Sequence, residues 1–260
     1  MADFSVLGCG VYTPHTPTLA SWAQQTPTSE PTSPQGRALD RRSRRISGTL
    51  MRALTDVAYD AIEAAQVDPQ SIASVYGSAL GEVQTMMKLL EQIWVKKDPP
   101  SPMAFAASVH NAASGVASIS FKNQQFTTSV AANFDTPAMS LWEAAGLLRT
   151  GHKEVLVVCG DEPPPHALMG PHPTWDTLCA ALVLSADPAH PRRIASLQLP
   201  TRSVPDASAV LPAATLQPSL QNNPSVGMLR VVDAIVQGNN GMVALDHGNG
   251  QGWYVRVTPP

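Results

Sequence analysis

Apolar residues in this chain follow two spacings, and each predicts a different element. Runs with little interruption read as strands. FSVLGCGVYTP (residues 4–14) is a buried strand ended by Pro14, and SIASVYGSAL (71–80) is a strand running into a turn at Gly81. KEVLVVCGDEP (153–163) is almost continuously apolar, the pattern of a strand covered on both faces. TLCAALVLSAD (177–187) is a second strand of this kind, and RIASLQL (193–199) is a shorter one. MVALDHGNGQGWYVRV (242–257) reads as a hairpin turning at Gly248-Asn249-Gly250.

The helical spacing appears from Ile46 to Ala65, where Leu50, Leu54, Val57, Ala58 and Ile62 share one face. GEVQTMMKLLEQIWVKK (81–97) is an amphipathic helix stopped by Asp98-Pro99-Pro100. FAASVHNAASGVASISFK (105–122) is dense in Ala, Ser and Gly, so a helix there can approach another backbone closely. VGMLRVVDAIVQG (226–238) is a short helix with Gly238 as its stop. Pro-, Ser-, Thr-, Asn- and Gln-rich stretches at 13–36 and 200–225, and the Pro-rich stretch after Pro163, read as loops. Strands alternating with helices predict a layered α/β domain.

In TTSVAANFDTPAMSLWEAA (127–145) a β-prone run from Thr127 to Ala131 turns at Asn133–Phe134 and starts a helix. Asp135 or Thr136 is placed to cap that helix, and Pro137 suits its first turn. A strand, tight turn and helix start is a common way to present a nucleophile, because the helix dipole stabilises an anion there. Yet no Cys lies between Cys9 and Cys159, and Phe134 stands at the tip. Ser129 and Ser140 are the only serines in this window, and neither has an evident base.

Composition narrows the function classes. The chain has 260 residues, 43% of them hydrophobic and 14% charged, with a net charge of −3. A sizeable core fits that length, while the lack of basic excess argues against an electrostatic nucleic-acid binder. Cys9, Cys159 and Cys179 are far apart in apolar surroundings, which suggests buried reduced thiols in a cytoplasmic protein. No apolar run approaches the roughly 20 residues of a membrane span, and MADFSVLGCGVY reads as a first strand rather than a signal peptide. His166, His172 and Asp176 fall in one Pro-rich loop, but their spacing matches no metal-ligand pattern. Asp161 and Glu162 read as a loop-exposed acid pair at a strand end. His110 reads as a helix histidine satisfied by a backbone carbonyl, rather than a catalytic group.

The order of these segments resembles the N-terminal half of the β-ketoacyl synthases, the thiolase-fold condensing enzymes of fatty acid and polyketide synthesis. The carrying residues are VYGSALGE (75–82), SPMAFAASVHNAASG (101–115), the strand–turn–helix at 127–150 and TGHKEVLVVCGDEP (150–163). The resemblance implies a thiolase-like layered α-β-α fold. Its ketosynthase-like domain spans 1–187, and a strongly reduced C-terminal extension, 188–260, packs on it. It places the family's catalytic Cys at Phe134. A phenyl ring cannot carry an acyl thioester, and Asp135 would oppose a neighbouring thiolate. The family's two catalytic histidines belong to the half that is reduced here. His247, in DHGNG (246–250), has a glycine beside it, but one hairpin does not rebuild that half.

The resemblance therefore implies no catalytic residue, no cofactor and no metal. It implies a non-catalytic subunit like a chain-length factor, with no membrane span. That subunit pairs with an active ketosynthase and, through the complex, meets acyl carrier protein, as in aryl polyene-type pathways. Leu80, Met103, Ala104, Phe105 and Phe134 fall at acyl-tunnel positions, with ordinary core packing the alternative for Leu80, Met103 and Phe105. Thr127, Thr128, Ser129, Val130 and Ala131 form the strand that pairs across the family's two-fold, and His110 and Asn111 fall at the same interface. The basic cluster RALDRRSRR (37–45) reads as a solvated segment or as a phosphate or acyl-carrier contact. A reduced second half predicts an exposed apolar face on the isolated chain. Two other readings stay open: an acyltransferase or hydrolase using Ser129 or a histidine, and a homodimeric acyl-binding scaffold.

Overall fold

The computed structural model describes residues 3–170, 174–212, 216–246 and 250–260. Eight strands form one mixed sheet: β1 (Phe4–Tyr12), β2 (Ala73–Gly77), β3 (Thr127–Val130), β4 (Glu154–Asp161), β5 (Leu178–Ser185), β6 (Ala195–Leu197), β7 (Gly241–Ala244) and β8 (Tyr254–Thr258). Their spatial order is β3-β2-β4-β5-β1-β6-β8-β7. The β3-β2-β4 part is parallel, and every other pairing is antiparallel. The C-terminal strands thus extend the same sheet by hydrogen bonding to β1 through β6.

Period-2 alternation explains how one sheet carries two apolar layers. Val155, Val157 and Cys159 of β4 and Leu178, Ala180, Leu182 and Leu184 of β5 face one layer. Leu156 and Val158, with Cys179, Ala181 and Val183, face the other. Helices α7 (Thr136–Arg149) and α10 (Val226–Val236) cover the first face; α3 (Thr49–Ala65) and α6 (Ala112–Phe121) cover the second. Each buried Val or Leu contributes about 1.5–3 kcal/mol of transfer free energy, so β4 and β5 anchor the fold. The uninterrupted apolar runs record this double cover, although β5 and β1 run antiparallel rather than in a parallel sheet.

Helix α3 lies unusually close to β1. A Cβ on Gly10 would sit 2.2 Å from the carbonyl oxygen of Val57, and one on Gly8 would sit 2.3 Å from that of Ala61. Only glycine permits this approach.

Helix boundaries differ from the sequence pattern in three places. The run from 46 divides at Ser47–Gly48: a short helix, α2 (Arg41–Ile46), is capped by the Asp40 carboxylate, and Gly48 is the extended N-cap of α3. The segment 105–122 divides into α5 (Pro102–Ser108) and α6, because Val109 takes an extended conformation. Within 13–36, Thr18 and Ser21 form a capping box that starts α1 (Leu19–Ala23). The remaining helices are α4 (Val83–Trp94), α8 (His166–Met169) and α9 (Pro218–Gln221). Of the hairpin turn, Gly250 is described, and Gly248 and Asn249 lie outside the described residues. No helix among the described residues is long and apolar enough to cross a membrane.

Candidate functional site

The strand–turn–helix is present. Strand β3 lies at the sheet edge, paired on one side with β2 only. The chain then makes a 3-10 turn, Asn133–Asp135, with Asn133 in the left-handed region at φ 53°, and enters α7. Phe134 stands at the centre of this turn, half-buried. Thr136 holds the turn: its hydroxyl donates to the Asn133 carbonyl (2.6 Å) and accepts from the Ala132 amide (3.0 Å). Asp135 does not cap the helix by its side chain. Its Oδ1 instead accepts from the amide of Gln251 at 2.8 Å, so the C-terminal hairpin buttresses the turn.

The loop after β2 is positioned by a residue expected at the surface. Asp161 is fully buried and Glu162 nearly so, at 0% and 3% exposure, which corrects the reading of a loop-exposed pair. Asp161 Oδ1 accepts from the Ser78 hydroxyl (2.8 Å) and from the amides of Ala79 (2.8 Å) and Leu80 (3.1 Å). Its Oδ2 accepts from the Ser225 hydroxyl at 2.7 Å. Burial pushes its carboxyl above the usual range, against the pull of these four donors. The segment 223–225 closes over the strand end, with Asn223 Nδ2 donating to the Asp161 carbonyl at 3.0 Å. A strand end seen in sequence gives no sign of that lid.

Glu82 is the acidic residue that sequence reasoning missed. It is buried, and neither carboxylate oxygen makes a well-formed hydrogen bond. Burial and then the Glu162 charge push it up to about 8; Thr85 and the Met51 amide lie near enough to offset this only in part. Glu162 accepts from the Gln84 amide at 3.0 Å, and burial raises it too. The pair lies beside Gly48 and the first turn of α3, which has no side-chain cap of its own. The one available signal was the Glu following Gly81.

Among the described residues, neither serine of the 127–145 window has a basic side chain as hydrogen-bond partner. Ser129 Oγ lies 3.1 Å from Ser114 Oγ, and Ser140 is fully buried beside the Cys159 thiol. The three thiols are buried, and burial pushes Cys9 and Cys159 up to about 12, so they are protonated at neutral pH. His110 sits in the turn between α5 and α6 rather than in a helix. Its Nε2 donates to the Ser78 carbonyl at 2.7 Å, a tautomer fixed by the acceptor. His172 and His247 lie outside the described residues. Among the described residues no three His, Cys, Asp or Glu side chains gather as metal ligands.

The tunnel and interface candidates differ in exposure. Leu80 and Ala104 are half-buried, Met103 and Phe105 are 55% and 59% exposed, and Asn111 and Ala131 are exposed. Thr127, Thr128, Ser129 and Val130 are half-buried along the open edge of the sheet, where Thr127 Oγ1 accepts from Ser74 Oγ at 2.8 Å. Leu90 and Trp94 on α4, Val95 just after it, Met103 and Phe105 on α5, Ile119 on α6 and Phe126 before β3 are large exposed apolar residues, and these elements pack in series. The apolar surface therefore lies on the α4–α6 side. Among the described residues of α7 and α10, Trp142 is the one large exposed apolar side chain, and Leu19, Trp22, Leu211 and Trp253 pack against that layer. The basic cluster is partly structural. Arg37 pairs with Asp60 (2.7 Å), and Arg44 donates to the Gly36 and Leu39 carbonyls, while Arg41, Arg42 and Arg45 are exposed.

A mixed sheet sandwiched by helices, with a strand–turn–helix at its parallel edge, defines a thiolase-like ketosynthase fold. The β-ketoacyl synthase N-terminal-domain family model matches residues 19–249, and the chain belongs to that family. Among solved structures, it resembles the ketosynthase ApeO in complex with its chain length factor ApeC from Xenorhabdus doucetiae. That match has a TM-score of 0.72 at 20% identity and covers 99% of this chain and 100% of the other. It resembles the ishigamide ketosynthase/chain length factor with a TM-score of 0.74 at 14% identity, covering 99% and 98%. A β-ketoacyl synthase from Burkholderia phymatum STM815 matches with a TM-score of 0.55 at 13% identity, over 71% of this chain and 59% of that one. These likenesses establish the fold. No curated protein matches the chain.

Proposed function

We propose that this chain is a non-catalytic subunit like a chain-length factor, which pairs with an active ketosynthase and shapes that partner's acyl tunnel. The observation that carries this is Phe134 in the turn between β3 and α7, where the resemblance places the family's nucleophile. Its ring has no lone pair to attack a thioester, and the buried thiols and the two serines of that window supply no replacement. The reaction, decarboxylative condensation of carrier-bound acyl and malonyl units, then belongs to the partner's Cys and histidines. The open edge of β3 offers unpaired backbone groups to a partner strand. The adjoining apolar surface, with Met103 and Phe105, offers area to bury. Leu80, Ala104 and Phe134 are the tunnel-facing positions in this reading. Chains of matching length occur in the ApeO–ApeC and the ishigamide ketosynthase/chain length factor structures.

The test is reconstitution. The pure chain is incubated with acyl and malonyl carrier thioesters, alone and after co-expression with a ketosynthase. Elongated product only in the second case supports the proposal. Covalent acylation of this chain or turnover by it alone overturns it, and so does a stable homodimer that excludes the ketosynthase in light scattering.

A further inference from the structure

A cavity of about 570 Å³ is lined by no residue of the strand–turn–helix and has no role in the reading above. It lies between α1 and the residues after it on one side and α9 and α10 on the other. Trp22, Leu216 and Leu220 give it apolar walls, and the Asp233 carboxylate stands within it. Gln25, Gln217, Gln237 and Asn239 line its exposed rim with side-chain amides that make no hydrogen bond among the described residues. Its volume is that of a site for a small ligand.

Charge decides the ligand class. Asp233 is the one charged side chain among the described lining residues. Trp22 Nε1 donates to its Oδ1 at 3.0 Å, and Oδ2 has no donor among the described residues. Arg230, one turn earlier on α10, directs Nη1 to the Asp246 carbonyl at 2.9 Å. Burial raises the Asp233 carboxyl, with the Trp22 hydrogen bond opposing. A half-buried carboxylate with a free oxygen favours a bound cation. Rim amides supply both donors and acceptors for hydroxyl groups. An anion or a phosphate ester would meet Asp233 with no cationic side chain to compensate.

We infer that this cavity binds a small hydroxylated organic ammonium compound, with its ammonium group on Asp233 Oδ2 and its hydroxyls on the Gln237 and Asn239 amides. Recognition is non-covalent, and it stands or falls independently of pairing with a ketosynthase.

Titration calorimetry on the full chain tests it, with glucosamine and 2-aminoethanol as probes and glucose and acetate as controls. Glucosamine should bind saturably below about 10 mM, at least about tenfold tighter than glucose, with no binding of acetate. Asp233→Asn keeps an acceptor for Trp22 and should weaken glucosamine by about tenfold or more, while the melting temperature stays within about 2 °C of the parent. Gln237→Leu, on the rim and away from the Trp22 contact, should weaken it several-fold and gives a second readout if Asp233→Asn is unstable. Absence of ammonium binding, equal binding of glucose, or affinity unmoved by both substitutions overturns the inference.

Discussion

The Ser225 hydroxyl donates a 2.7 Å hydrogen bond to Oδ2 of Asp161, joining the segment before α10 to the end of β4. Through its other oxygen the same carboxylate holds Ser78, Ala79 and Leu80. One buried group thus couples the C-terminal segment to the loop that carries Leu80. Asp161→Ala leaves four donors without an acceptor, the Ser78 and Ser225 hydroxyls among them buried, and should cost about 3–5 kcal/mol. Ser225→Ala should cost about 1–2 kcal/mol. Urea unfolding measures both, and a loss below about 1 kcal/mol for Asp161→Ala would contradict the assigned role.

Glu82 makes stability depend on pH with a definite sign. Its carboxyl titrates near 8 when folded and near about 4.3 when unfolded. Between these values the folded chain binds the proton more tightly, so unfolding releases it. Its contribution is complete below about pH 4 and is lost as pH rises through about 8. Glu162 is raised by burial as well and steepens the same slope. Glu82→Gln should be nearly equal to the parent at about pH 4 and more stable by up to about 5 kcal/mol at about pH 8.5. Denaturant midpoints at both pH values check this, and an identical pH slope in the two proteins would refute it.

Pairing through the α4–α6 side predicts a selective defect. Met103→Asp and Phe105→Asp change residues that are more than half exposed, so the isolated variants should melt within about 2 °C of the parent. Each should weaken association with a ketosynthase by about tenfold or more, the equivalent of about 1.4 kcal/mol. Co-purification from a shared expression host gives the result.

Ala104→Phe adds a large ring at a half-buried position of α5. If that position faces the tunnel, the reconstituted complex should release shorter products. Mass spectrometry of the chains reads the shift, and an unchanged distribution places Ala104 away from the tunnel.

The approach of α3 to β1 predicts intolerance at Gly10. A methyl group there would meet the Val57 carbonyl at 2.2 Å, so Gly10→Ala should cost about 3 kcal/mol or more through forced backbone displacement. Circular dichroism on heating measures it. Gly146→Ala, where a Cβ meets nothing, should be neutral or slightly stabilising.

Much of the scaffold was legible. Leu50, Leu54, Val57, Ala58 and Ile62 are all buried, as their spacing predicts. Strands β4 and β5 fall within the two long apolar runs. The breaks at Ser47–Gly48 and at Val109 were not legible, because each depends on where the two flanking helices pack. Asp161 and Glu162 were misplaced for a related reason: their neighbours in sequence are loop-forming prolines, while their cover comes from Ser225, Asn223 and Trp175.

By itself the sequence determined the alternation of strands and helices, the strand–turn–helix at 127–145 and the absence of Cys from its tip, since these rest on local spacing and residue chemistry. Only the tertiary structure decided that residues after 187 extend the same sheet, that Asp161 and Glu82 are buried acids, and that Asp233 stands in a cavity beside Trp22. Those facts depend on contacts between residues tens to hundreds of positions apart, and burial, which sets the state of each carboxyl, exists only once those contacts have formed.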